Sequence, residues 1–218
     1  MVANMVSNVS VTSALRKDIL NDVFPAGSRL VEVVLSERYK VSRAAVRAAL
    51  LELSSEGLVV REANRGATVR RISVEEAVEI TEARGALEGL IAAYAARNVT
   101  ESESAGLLEG LARMRVAVED EDIIEYGQLN VNLHLLLRQA ARHSVAADLV
   151  DNLKNRAVHH QFRLSMLPGR LAESLAQHEA IVAAVITHDE SAATDAMVAH
   201  LNSVASVLRR WAEVPPRH

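Results

Sequence analysis

The chain has no cysteine, which excludes disulfides and thiolate metal sites and is compatible with a cytoplasmic protein. Aromatic residues make up only 3% of a sequence that is 50% hydrophobic, a balance that suits Leu- and Ala-rich helices better than a β-sandwich. Residues 1–13 have neither a basic start nor a sustained apolar run, so they form no signal peptide or membrane span and read as a loose tail. No Gly/Ser-rich linker, internal repeat or low-complexity tract is present, so any two domains should be joined directly, near residues 72–74. With 218 residues the chain has length for one large domain or two modest ones. These absences point to a mainly α protein and are compatible with a cytoplasmic location.

The most informative stretch is VSRAAVRAALLEL, residues 41–53. Ser42 is a good N-cap, because its hydroxyl can accept from a free N–H of the first turn. Arg43 and Arg47 lie four residues apart and share a face. Val46, Ala49, Leu50 and Leu53 form an apolar stripe at i, i+3, i+4 and i+7, rotated away from the arginines. Upstream, residues 29–39 read as a short helix followed by a tight joint at Lys40 and Val41. Downstream, residues 58–62 and 67–71 are β-prone runs joined by Ala63, Asn64, Arg65 and Gly66, with Gly66 supplying a positive φ. A helix, a turn, a basic helix and a basic-tipped hairpin in that order suggest DNA reading.

The net charge of −4 is unevenly spread. Residues 1–72 hold 11 Lys and Arg against 7 Asp and Glu, or +4, while the remainder holds 13 against 21, or −8. Because Coulomb attraction is screened within about 10 Å at 0.1 M salt, the local surplus matters more to a phosphate backbone than the total. Beyond the hairpin the sequence reads as six helices near 73–98, 101–119, 121–142, 144–166, 170–188 and 190–212. Glu75 and Glu76 suit the first N-terminus, and Pro215 and Pro216 stop the last helix. The acidic run 119–125 reads as a solvated loop and helix start rather than a metal cluster. Three histidines, His134, His178 and His200, fall on three different helices. On the residues alone they read first as buried or pocket-lining polar groups, and no HExxH motif is present.

Residues 15–72, carrying LRKDIL, PAGSRLVE, LSERYKVSRAAVRAALLELSSEGLV and REANRGATV, resemble the winged helix-turn-helix domain of the GntR family of bacterial transcription regulators. The resemblance implies a DNA-binding domain over 1–72, including the tail. It places Ser42, Arg43, Ala44 and Arg47 on the recognition helix, and Arg65 and Gly66 on a wing tip that enters the minor groove. The chain departs from the family pattern at Lys40, which replaces a turn glycine, at Val33, where some members carry a contacting arginine, and at Ala44, which replaces a common polar residue. A non-glycine residue in the left-handed region costs about 1 kcal/mol.

The stretches ITEARGALEGLIAAYAA, NVNLHLLLRQAA, SLAQHEAIVAAV and AMVAHL resemble the ligand-binding FCD domain of the FadR subfamily. This implies an all-helical effector-binding and dimerisation domain over 73–218. By resemblance His134, His178 and His200 converge on a divalent metal, commonly Zn or Ni. The fourth ligand, four residues before the first histidine and usually aspartate, is Asn130 here. Its amide oxygen can coordinate but brings no charge. Arg84 corresponds to an arginine that meets an effector carboxylate; the other reading of Arg84 is an i, i+4 pair with Glu88 on a solvated face. The resemblance thus implies a homodimeric regulator, most often a repressor, that binds a palindromic operator on double-stranded DNA. A small organic acid would control that binding. Two other readings compete: a metal-dependent enzyme built on the histidines, with Glu179 as the nearest candidate base, and a DNA-binding protein without an effector.

Overall fold

The structure is a computed structural model that describes residues 2–62, 66–164 and 169–212, with side chains described over 11–61, 66–154, 156 and 169–210. The chain divides into two compact units. One comprises Met1–Ser73 with Lys154–His159, the other Val74–Leu153 with His160–His218.

The first unit opens with α1 (Val2–Leu20), so from Val2 onward the loose tail expected over 1–13 is corrected to a helix. Val11, Leu15 and Ile19 repeat every four residues and are at most 2% exposed, which ties this helix down by burial. Thr12 and Arg16 on α1 reach acids of α3 (Arg43–Ser55): the Thr12 hydroxyl donates to Glu52 at 3.1 Å, and Arg16 Nε donates to Glu56 at 2.8 Å.

The short helix expected over 29–39 divides in two. Arg29–Leu30 is a strand, β1, and α2 spans Glu32–Tyr39. Arg29 and Leu30 stay extended because they pair antiparallel with Thr68 and Ala67, burying Leu30. The turn into α3 forms without glycine: Lys40 takes φ 54° and ψ 43°. Ser36 fixes this turn twice, its carbonyl accepting from Val41 N–H at 3.1 Å and its hydroxyl donating to the Val41 carbonyl at 2.7 Å. Ser42 caps α3 by accepting from Ala45 N–H at 3.2 Å. Val46, Ala49, Leu50 and Leu53 pack inward, as their spacing predicts, with Ala45 beside them.

The wing consists of β2 (Val59–Glu62) and β3 (Gly66–Val69), and the three-stranded antiparallel sheet has the order β1-β3-β2. Gly66 is required twice over. Its φ is +88°, and a Cβ there would lie 2.7 Å from the Leu30 carbonyl oxygen. Arg65 lies outside the described residues.

After the wing come α4 (Val74–Asn98), α5 (Glu101–Glu119), α6 (Ile123–Ala141), α7 (Ser144–Leu164), α8 (Arg170–Ile186) and α9 (Glu190–Ala212), which make up the second unit except for the Lys154–His159 stretch of α7, grouped with the first. The expected ends differ from these by a few residues at most. Thr100 and Glu103 form a reciprocal capping box on α5, and Asp122 caps α6, so the acidic run is a helix joint, as expected. The most extensive packing joins α4 and α9. A Cβ on Gly89 would lie 3.0 Å from a Val198 methyl of α9, so a larger residue there would require that side chain to shift. Among the described residues no helix is long and apolar enough to cross a membrane.

Candidate functional site

In the first unit, α3 turns one side to its core and the other to solvent. Ser42, Arg43, Ala44 and Arg47 are all exposed. The Arg47 guanidinium is held by Glu32 of α2, with Nε to Oε1 at 3.1 Å and Nη2 to Oε2 at 2.8 Å. This pair was not anticipated from the sequence. The Arg47 hydrogen bond, with help from Arg43 and Arg61, holds the Glu32 carboxyl below its ordinary range. Three arginines therefore gather on one exposed face. An exposed ion pair contributes little stability, so Arg47 can exchange its partner readily.

In the helical unit the polar side chains that are buried or half-buried follow helical spacing. Arg84 and Glu88 lie one turn apart on α4; Tyr126, Asn130 and His134 are successive turns of α6; Arg170, Ser174 and His178 are successive turns of α8; His200 comes from α9. These helices bring His134, His178 and His200 together, with one candidate ligand atom from each within 4.8 Å of the others. All three histidines are at most 5% exposed. His178 and His200 have ring centroids 4.5 Å apart, and His134 lies 5.4 Å from the first and 5.7 Å from the second.

Each ring is engaged through Nδ1. His200 contacts Gln177 Oε1 at 2.8 Å, His134 contacts Glu88 Oε2 at 2.8 Å, and His178 lies 3.4 Å from the Tyr126 hydroxyl. Desolvation, reinforced by the neighbouring histidines, pushes His178 well below its usual range. Desolvation, followed by the charges of His134 and Arg170, brings His200 down to about 3. Tyr126 is pushed up to about 12, chiefly by burial. Both His178 and His200 are therefore neutral near pH 7, the form that binds metals.

This has a consequence for stability. A histidine depressed in the fold binds fewer protons folded than unfolded, so stability is present above the unfolded value, about 6.5, and is lost as pH falls below it. Denaturant melts with chelator present should show stability declining from about pH 6.5 towards pH 4. In a His200→Gln variant that decline should be shallower.

The arrangement fits a divalent ion on an independent observation. Among the described residues, His178 Nε2 and Asn130 Oδ1 are buried without a hydrogen-bond partner. Orphaned buried polar atoms are costly, and these two are both good metal donors. Imidazole nitrogens and an amide oxygen suit borderline divalent metals.

Arg84 is not on a solvated face. It is 6% exposed and pairs with the equally buried Glu88, Nε to Oε1 at 2.8 Å and Nη2 to Oε1 at 2.7 Å. The site also contains residues that sequence reasoning missed. Glu88 was visible only as a surface partner of Arg84. Tyr126 stands two turns before His134 on the α6 stripe, so the same spacing could have found it. Arg170 stands two turns before His178; it is 6% exposed and donates to Ser203 Oγ at 2.8 Å. Gln177 gave no signal, because it reaches His200 across a helix boundary. Glu179, the candidate base of the enzyme reading, pairs instead with Arg115 at 2.7 Å, and both are exposed.

Comparison with known proteins agrees with both halves of the chain. The family model for bacterial regulatory proteins of the gntR family matches residues 8–69, and that for the FCD domain matches residues 79–203. The HTH-type transcriptional repressor RspR of Escherichia coli K12 is 32% identical over 206 residues, covering 93% of this chain and 89% of RspR. The gluconate operon transcriptional repressor of Bacillus licheniformis is 28% identical over 190 residues, covering 84% of this chain and 77% of that protein. The fold matches the solved structure of E. coli McbR/YncC with a TM-score of 0.78 at 22% identity, covering 94% of this chain and 98% of that one. It matches a GntR regulator from Rhodococcus sp. RHA1 with a TM-score of 0.73 at 23% identity, covering 93% and 97%. RspR and the gluconate operon repressor are regulators, and the enzyme reading of the histidines falls with them. The chain belongs to the GntR family of bacterial transcription regulators, with an FCD domain following its winged helix-turn-helix.

Proposed function

We propose that this regulator is a cytoplasmic, homodimeric repressor of the FadR type whose hold on a palindromic operator is controlled by a small organic acid. Residues 1–72 read the DNA and 73–218 sense the acid. Arg43 and Arg47, with Ser42 and Ala44, face the major groove, and Arg65 and Gly66 form the wing tip. The exposure of Arg43 and Arg47 and the basic surplus of residues 1–72 support this reading. In the helical unit His134, His178, His200 and Asn130 would hold a divalent metal, zinc or nickel, and Arg84 would meet the acid. When bound, such an ion would supply a positive centre for oxygen anions. The chain's own residues orient the site: Glu88 and Gln177 contact two of the rings, and burial keeps His178 and His200 neutral. The single observation carrying the sensor reading is the pair of orphaned donors, His178 Nε2 in the buried three-histidine cluster and Asn130 Oδ1 one turn before His134 on α6.

Half-sites related by a two-fold axis require a fixed separation of two reading heads, so an effector that shifts the dimer arrangement changes affinity without touching DNA. Fluorescence anisotropy with duplex from the gene's own upstream region tests this directly. Sugar acids, hydroxy acids, dicarboxylates and amino acids would be added in turn, with and without chelator. One acid class is expected to release the DNA at least several-fold, and prior chelation should blunt the release. Release that is indifferent to chelation would remove the metal from the sensor, and no release by any acid would remove the carboxylate effector.

A further inference from the structure

Glu88 is the one buried acid among the described residues, and its two oxygens have different partners. Oε1 accepts from Arg84, at 2.8 Å from Nε and 2.7 Å from Nη2. Oε2 lies 2.8 Å from His134 Nδ1. A carboxylate held by a guanidinium has only acceptors to offer, so the hydrogen between Oε2 and Nδ1 belongs to the imidazole. His134 is thereby fixed with its hydrogen on Nδ1 and its lone pair on Nε2. Glutamine at this position cannot satisfy both neighbours. If its oxygen stays with Arg84, its amide N–H faces Nδ1, which must then accept, and the ring hydrogen moves to Nε2. If its oxygen turns to His134, its N–H groups confront the donors of Arg84.

We propose that Glu88 is the positioning residue of the three-histidine site: one oxygen fixes the tautomer of His134, and the other, on Arg84, makes acid binding at Arg84 and metal binding at the histidines report on each other. The inference rests on the metal and acid reading above. A carboxylate arriving at Arg84 competes for the donors that now hold Oε1, leaving more of the Glu88 charge to His134 and making that ring a stronger ligand. Linkage makes the effect reciprocal, so metal binding tightens acid binding by the same factor.

The test is calorimetric titration of the full chain with Ni²⁺, with and without acetate, a monocarboxylate that chelates metals weakly, in the parent and in Glu88→Gln. Removing such an orienting partner typically weakens metal binding by about 10- to 100-fold, and that loss is expected here. Acetate should tighten Ni²⁺ binding several-fold in the parent and leave Glu88→Gln unmoved. Long-range ¹H–¹⁵N spectra of the metal-free parent provide a readout that does not depend on the variant folding: His134 should carry its hydrogen on Nδ1. Equal Ni²⁺ affinity in the two proteins, acetate coupling that survives in Glu88→Gln, or a His134 hydrogen on Nε2 would each overturn the role of Glu88 alone. A parent that binds no Ni²⁺ would overturn the metal reading and this inference with it.

Discussion

Replacing Arg43 and Arg47 together with Ala is expected to reduce binding of the specific operator to the level of binding to random duplex, while leaving the fold intact. Each arginine, if it meets a guanine edge in the major groove, accounts for about tenfold to a hundredfold of affinity. The fold should survive because both arginines are exposed, while the first unit's core is held by Val46, Leu50 and Leu53 on a stripe rotated about a quarter turn away. Both arginines act on Glu32, one through hydrogen bonds and the other through its charge, so their losses need not add. The Glu32 pair also sharpens the assignment of Arg47. Glu32 engages Nε and one hydrogen of Nη2, leaving the end-on edge formed by Nη1 and Nη2 for a base. Anisotropy on operator and random duplexes, with melting curves as the folding control, checks the expectation. If both single variants keep operator affinity, α3 does not read the sequence through these residues.

What the sequence made legible follows from which signals are local. The long helices were visible because apolar side chains recur at helical spacing over many turns, and their joints carry turn and cap residues such as Thr100 and Asp122. The helix over the first residues was not visible. VANMVSNVSVTS is rich in β-branched and short polar side chains with weak helix propensity, and what holds Val11, Leu15 and Ile19 is tertiary burial. The strand Arg29–Leu30 is too short for any period, and its partners Thr68 and Ala67 lie far along the chain. In the helical unit, the family resemblance picked out the three histidines that the fold brings together. Periodicity alone could not say which face of α4 is buried, so Arg84 and Glu88 looked equally at home as a surface pair. The pairing was there to see in the spacing; the burial that gives it chemical meaning was not.

Asn130→Asp should tighten divalent metal binding, and His178→Ala should abolish it. Asn130 and His134 lie one turn apart on α6, and Asn130 Oδ1 is already buried without a partner, so a carboxylate there changes charge while keeping shape. With an ion present, the new charge is compensated and affinity rises. Without one, the same substitution buries an unpaired anion and destabilises the bundle. The two situations therefore give opposite signs. In the parent, a metal that binds only the folded form at a thousandfold excess over its Kd stabilises by about 4 kcal/mol, a shift of several degrees in melting temperature. Chelation should remove this shift in the parent, remove a larger one in Asn130→Asp, and move nothing in His178→Ala, whose chelator response is read against its own baseline. Metal content of the purified proteins, with melting curves before and after chelation, gives the answer. If Asn130→Asp melts lower than the parent at every metal concentration and neither protein responds to chelator, the three histidines are buried polar groups that hold no ion.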